Sequence, residues 1–394
     1  MAKNTYERRS LQIRRYPYIS GGHMNSKKIR VGIVGLEFGA EFIPIYQKHP
    51  GSEMYAICQR NKEHLDLIGN TFGIKARYTN YEAMLKDQNI DAIHINTPPF
   101  LHAEQVVAGL EAGKDVASTI PMALSVEDCK KIVETVKKTG KKYMMMETVV
   151  YSREFLFVKE MYDKGLLGRI QFYRSSHQQE MAGWPAYWEG LPPMYNATHA
   201  ISPTLALRRD QAEWVECVGS GRIDAAMIPN YGSPFAIESA HIQFKDTDVC
   251  AEVTRSLFKT ARQYRESFDV FGSEKTFEWT QLQGEQHVMY TQETPERVSI
   301  PDYAHLLPKE IQRYTQAGVY DEDEHAHRSF IQGGGHGGSH PHLAHEFLTA
   351  LAENREPFPN ARQAANITCA GILSHLSAMS GGSKVYLPDF TIWK

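Results

Sequence analysis

Short apolar runs alternate with amphipathic stretches over the first third of the chain. Ile29, Val31, Ile33 and Val34 form a β-rich run that stops at Gly35, and a helical pattern begins near Phe38. Met54 to Cys58 predict a second strand. Ile90 to Asn96 predict a third, broken by Thr97-Pro98-Pro99 and followed by a helix through His102 to Ala112 that stops at Gly113. Ser125-Val126-Glu127-Asp128 has the spacing of a capping box and opens a helix to about Gly140, ahead of a strand from Lys142 to Met146. Near-continuous apolar strands between amphipathic helices predict a parallel sheet covered on both faces. This is the doubly wound α/β class, whose ligands sit at the carboxyl ends of the strands.

Beyond Val150 the pattern changes. Longer β-type segments (Ile170 to Ser175, Phe235 to Phe244, Val249 to Leu257, Glu266 to Gly272) are broken by turns, with helices predicted from about Pro341 to Ala352 and from Arg362 to Met379. The reading is α+β with a mostly antiparallel open sheet. The chain divides into a leader, 1–24, a doubly wound domain, 25–148, and a second domain, 149–394. The leader's Arg8-Arg9 and Arg14-Arg15 pairs lack the apolar segment of an export signal, and Gly21-Gly22-His23-Met24 reads as a vector-derived junction. A native disordered arm is the alternative.

Composition narrows the partner. Of 394 residues, 43 Lys and Arg stand against 46 Asp and Glu, a net charge of -3 with no long run of one sign. That gives no footprint for nucleic acid or an anionic membrane and favours a small neutral ligand. No apolar stretch approaches the roughly 18 to 20 residues of a membrane span. The 5 cysteines are odd in number and scattered, which fits neither a disulfide framework nor a paired zinc motif and points to a reducing cytoplasm.

The first chemical signal is Gly35-Leu36-Glu37-Phe38-Gly39-Ala40, a strand-to-helix turn of dinucleotide-binding form. Gly35, Leu36, Glu37 and Phe38 are the expected cofactor contacts. Glu37 stands at the position of closest approach, where a carboxylate repels a diphosphate unless its side chain points to water. After the second strand come Gln59 and Arg60. Gln59 can bond a ribose hydroxyl and Arg60 can stack or hold a phosphate, so NAD is favoured with NADP left open.

Three segments together resemble one known family: Val31-Gly32-Ile33-Val34-Gly35, Asp91 to Pro98 with His102, and Gly109-Leu110-Glu111-Ala112-Gly113-Lys114-Asp115-Val116. That family is the glucose-fructose oxidoreductase, inositol dehydrogenase and rhizopine-catabolism (Gfo/Idh/MocA) group. The resemblance runs from about Lys27 to Phe390. It implies an N-terminal Rossmann domain, a C-terminal domain whose open sheet builds a homo-oligomer, and oxidation of a sugar-type alcohol at the junction. It places Asn96, Thr97, Pro98, His102, Thr119, Pro121 and Glu147 around the cofactor. The family's Glu-Lys-Pro motif falls on Thr119-Ile120-Pro121, so its cis-proline-like turn is kept while Ile120, which exchanges no proton, replaces the usual Lys. The family's catalytic His matches His199, and the Asp four residues before it is here Tyr195. His199 is the expected base, with an ordinary imidazole pKa near ~6.5 that suits neutral pH. Tyr195 would orient it or relay its proton. Met144 to Thr148, Trp184 to Gly190 and His336 to His342 further resemble a bacterial subgroup that oxidises glucosides at the 3-hydroxyl, including C-glycosides.

For the substrate, Trp184 and Trp188 are the expected walls against a pyranose face, and Arg153 a charge at the cleft. The run His325, His327, His336, His340, His342 and His345 is spaced for a helix with His342, His345 and Glu346 on its polar face, so no metal is expected. His336 and His340, beside glycines, are expected to bond substrate hydroxyls as lid residues. Three functions follow: an NAD(P)-dependent oxidoreductase acting on a ring hydroxyl of a sugar or glycoside, a glycoside-cleaving or isomerising enzyme that retains its NAD, and a non-catalytic nucleotide-binding regulator.

Overall fold

The computed structural model describes residues 27–262, 264–282, 284–316 and 335–390. The expected leader, with His325 and His327, lies outside them. Six strands form the first sheet: β1 (Ile29–Val34), β2 (Ser52–Cys58), β3 (Ala76–Tyr78), β4 (Ala92–Ile95), β5 (Asp115–Ser118) and β6 (Tyr143–Met145). All pair in parallel, in the order β3-β2-β1-β4-β5-β6. This is the strand order of a dinucleotide-binding doubly wound sheet, and its direction reverses at β1/β4, where the crevice opens.

The connecting helices are α1 (Ile43–Lys48), α2 (Lys62–Thr71), α3 (Tyr81–Leu85), α4 (Pro99–Glu111) and α5 (Val126–Thr139). The capping box at Ser125 forms, with its Oγ 3.0 Å from the Asp128 amide, and Gly140 ends the helix at φ 69°. The helix expected at Phe38 is different. Gly39–Phe42 make one 3-10 turn, and α1 then runs only six residues to the extended His49.

The second sheet contains β7 (Ile170–Gln179), β8 (Ala212–Ser220), β9 (Ile237–Phe244), β10 (Cys250–Ser256), β11 (Tyr264–Gly272), β12 (Thr276–Glu278), β13 (His287–Tyr290), β14 (Glu296–Val298) and β15 (Val385–Tyr386). Their order is β14-β13-β12-β11-β7-β10-β9-β8-β15, antiparallel except where β10 runs beside β7. The helices of this half are α6 (Arg153–Asp163), α7 (Thr198–Ala206), α8 (Ile228–Tyr231), a distorted turn α9 (Gly335–Gly338), α10 (His340–Ala352) and α11 (Ala361–Met379).

The last two long helices return to the first sheet. Side chains of α10, with Leu307, Ile311 and Tyr314, share a buried cluster with β1 and α1, while α11 packs on α5 and β6. A second apolar cluster is continuous from Val34 and Ile95 through Tyr151 and Ile201 to Phe268. The helix expected around Pro341 forms, but its polar face is not at the surface. His342 and Glu346 are both 1% exposed, and Glu346 is held by Arg355 (2.6 and 2.8 Å) and the Phe358 amide (3.0 Å). The reason is tertiary: both sides of this helix are covered, so its polar residues pair inside.

Candidate active site

A cleft of about 990 Å³ runs from the exits of β1, β2 and β4 to the first turn of α7. At its nucleotide end Gly35 adopts φ 83°, and a Cβ there would lie 2.5 Å from the Asn96 carbonyl oxygen. Only glycine lets the exits of β1 and β4 approach this closely. Gly35, Glu37, Phe38, Gln59, Arg60 and Asn96 line this end. The Glu37 side chain is 79% exposed, so its charge is dissipated in water. Leu36 is instead 1% exposed and packs with the core under α1.

Thr97, Pro98 and Thr119 continue the wall. His102 does not reach the cleft. Its Nδ1 and Nε2 each lie 2.7 Å from a carbonyl, of Pro121 and Thr97 respectively, so the buried ring clamps the β4 exit to the cis Ile120-Pro121 turn. Burial holds its pKa below the ordinary imidazole value, although both carbonyls oppose this. The cis turn expected from the resemblance is present. Pro121 is buried, and the cleft-lining side chain there is Ile120, which carries no charge.

At the other end His199 is the second residue of α7. Its Nδ1 lies 2.5 Å from Glu147 Oε1, just past β6, and Thr148 Oγ1 is 3.5 Å away. Glu147, expected at the cofactor, is completely buried and orients the imidazole instead. With Nδ1–H donating to Glu147, Nε2 is left as acceptor and lies 3.8 Å from Glu266 Oε1. Burial alone would lower the His199 pKa, but Glu147 and then Glu266 more than offset it and raise it above the ordinary value. The Glu266 side chain is 11% exposed, and its partial burial would raise its own pKa, yet the imidazoles of His336 and His199 hold it at about 2. His336 Nδ1 is 3.0 Å from Glu266 Oε1, and Tyr264 Oη donates to the same oxygen.

Tyr195 is not brought to His199. Residues 193–196 are a 3-10 turn that ends before α7, so the two are not one α-helical turn apart, and the Tyr195 ring packs edge-on to His375 at 5.3 Å. Arg153 does not line the cleft either, because its guanidinium bonds the carbonyls of Gly337 (3.2 Å) and Thr315 (2.6 Å). His340 is buried 3.1 Å from Glu41 and stacked among Phe38 and Phe42, whereas His336 does line the cleft. Trp184 and Trp188 both line the cleft, edge to face at 6.3 Å. Tyr187 extends it to Phe100 of α4, 6.0 Å away, so both halves shape the mouth.

Three residues to which the sequence reading gave no role at the site complete the inner end. On β7 and β11 His177 and Glu266 are register partners, His177 also faces Arg255 of β10, and Arg255 faces Glu238 of β9. Arg255 is wholly buried and donates to the Asn196, His177 and Ser256 carbonyls and to the Gln179 and Asn196 side chains. It thereby fixes the turn that leads into α7. The sequence signal was available: Tyr173, Ser175, His177 and Gln179 alternate along β7, with polar residues on the face that turns inward. His177, His199 and Glu266 bring ligand-type atoms within 4.8 Å of one another.

Residues 29–147 match the model of the Gfo/Idh/MocA proteins, described as an oxidoreductase family with an NAD-binding Rossmann fold. The match covers the first domain, whose sheet and strand order are those of the Rossmann fold it describes. Along 92% of its length the chain is also 25% identical to an alpha-N-acetylgalactosaminidase of Shewanella oneidensis, of which 85% is covered. Its fold resembles levoglucosan dehydrogenase in complex with NADH and L-sorbose (TM-score 0.75, 19% identity, 92% of this chain and 100% of that one). It also resembles scyllo-inositol dehydrogenase of Lactobacillus casei with NAD(H) and scyllo-inositol (TM-score 0.69, 18% identity, 91% and 99%). NAD is the cofactor of a Gfo/Idh/MocA Rossmann domain, and the cleft's nucleotide end fits it. The β1 exit is a close-approach glycine, the one carboxylate in the turn points outward, and Gln59 and Arg60 flank the β2 exit.

Proposed function

We propose that this protein oxidises a ring hydroxyl of a sugar or glycoside, the 3-hydroxyl of a glucoside, with NAD as hydride acceptor and His199 as the base. The observation that carries the reading is the Glu147–His199 pair, which closes the far end of a cleft that begins at the nucleotide-binding turn. Gly35, Phe38, Gln59, Arg60, Asn96, Thr97 and Thr119, which line the nucleotide end, would hold NAD, and NAD would supply the acceptor for the hydride. His199 Nε2 takes the hydroxyl proton as the C–H bond breaks, and Glu147 stabilises the resulting imidazolium without itself taking the proton. The products are a keto sugar, reduced cofactor and one proton. Trp184 and Trp188 offer flat apolar faces to the sugar ring, and the hydrophobic wall at Ile120 excludes water. The protein with NAD and methyl glucoside should develop the near-ultraviolet absorbance of reduced nicotinamide. No response to any glucoside, with NAD binding intact, would leave a non-catalytic nucleotide-binding regulator.

A second reading is glycoside cleavage through transient oxidation, with NAD regenerated on the enzyme. The name of the Shewanella relative and the loss of a cationic side chain at Ile120 favour it. Release of free aglycone without net reduced cofactor would select it over the first.

A further inference from the structure

His177 has no part in the proton transfer described above, yet it stands at the inner wall of the same cleft. It is 2% exposed, and neither ring nitrogen has a hydrogen-bond partner among the described residues. An unsatisfied buried polar atom costs about 1–3 kcal/mol, and a neutral imidazole carries both a donor and an acceptor to be satisfied. Its ring centroid is 5.0 Å from that of His199 and 5.4 Å from that of Tyr264, so neighbouring rings close over it. A group that enters the cleft with the ligand can satisfy it.

The chemistry of that group is set by what surrounds it. Burial, then the Arg255 guanidinium and the His199 and His336 rings, keep His177 well below the ordinary imidazole pKa, so it stays neutral. Either nitrogen of a neutral imidazole pairs with a hydroxyl, which donates to the bare nitrogen or accepts from the protonated one. A metal ion fits less well. Zinc bonds of roughly 2.0–2.1 Å in a tetrahedron bring ligand atoms to about 3.4 Å of one another. Those of His177, His199 and Glu266 spread to within 4.8 Å, and Glu266 Oε1 already accepts from Tyr264 and pairs with His336.

We infer that His177 is a specificity residue that bonds the substrate hydroxyl next to the one His199 deprotonates, so that the site selects a vicinal diol. This rests on the oxidation proposed above and names its substrate class more narrowly. Its backbone is fixed for the task, because Arg255 Nη1 donates to the His177 carbonyl at 3.1 Å.

The test is a cycle on the full-length protein loaded with NAD. It compares wild type with His177→Phe and His177→Asn, on methyl glucoside and on its monodeoxy analogues at the carbons flanking the oxidised one. Wild type should lose about 10- to 100-fold in kcat/KM on one deoxy analogue, the scale of a lost hydrogen bond to a buried group. His177→Phe should lose a similar factor on the parent sugar and no further factor on that analogue, with NAD affinity unchanged; His177→Asn should restore part of the discrimination. If wild type and His177→Phe penalise the same analogue equally, another residue reads that hydroxyl and the inference falls, although the oxidation stands. Activity that disappears on dialysis against a chelator and returns with zinc or manganese would make the trio a cation site and overturn it as well. A wild-type protein that neither binds nor oxidises any glucoside overturns both.

Discussion

Glu147 Oε1 meets His199 Nδ1 at 2.5 Å although the two residues are 52 positions apart, which ties the end of the parallel sheet to the first turn of α7. The carboxylate fixes the tautomer and leaves Nε2 facing the cleft. Replacing His199 by Ala should lower turnover by about 10² to 10⁴ with the fold intact, the usual worth of a general base. Glu147→Gln should also slow turnover and move the pH profile, since it keeps an acceptor but removes the charge. Steady-state kinetics with circular dichroism as the folding control decide both.

The pH dependence has a definite sign. Because the two carboxylates raise the His199 pKa despite burial, the ring is protonated at and somewhat above the ordinary imidazole value. Oxidation needs it neutral, so kcat/KM should rise with pH through that raised value, and in Glu147→Gln the rise should move to lower pH. Stability runs the other way. The pairing of His199 with Glu147 contributes fully below the unfolded imidazole pKa and is lost as pH rises through the folded one. Thermal melts from about pH 5 to about pH 9 should show this decline, which Glu147→Gln should reduce, leaving the part due to Glu266.

Gly35→Ala should fail in two ways at once. The residue holds φ 83°, and its new Cβ would meet the Asn96 carbonyl oxygen at 2.5 Å. A loss of at least about 1 kcal/mol in denaturant unfolding is expected. NAD affinity should weaken more than stability does, measured by calorimetric titration. Equal affinity in the variant would remove this turn from the cofactor site.

Arg255→Leu removes a fully buried donor that serves five acceptors around β7, β10 and the turn before α7. A destabilisation of at least about 1–3 kcal/mol, the cost of one buried acceptor left unsatisfied, is expected. Arg255→Lys should not recover it, since an ammonium cannot span the Asn196 and Gln179 acceptors and the carbonyls together. Urea midpoints compare the three proteins.

The parallel sheet, its strand exits and the cap at Ser125 were legible because each is written in adjacent residues. Of the residues singled out from the sequence, Gly35, Glu37, Phe38, His199, His336, Trp184 and Trp188 line the cleft. What sequence reasoning missed lies across strands. His177 and Glu266 are register partners on β7 and β11, and Arg255 joins them from β10, a relation no local pattern carries. Three of the residues found away from their expected positions share one cause. Arg153, His102 and His340 are polar side chains that found buried partners in the scaffold, two carbonyls for each of the first two and Glu41 for the third. Tyr195 missed His199 because a 3-10 turn, and not an α-helix, leads up to it.

The return of α10 and α11 onto the first sheet leaves the two halves with a common interior. A shared apolar interface of this kind does not hinge as a pair of loosely docked domains does. The nucleotide-binding half, cut off after β6, would expose the surfaces of β6, α5 and α1 that those helices cover. The intact chain should accordingly melt in one calorimetric transition, and the severed half should be insoluble by itself.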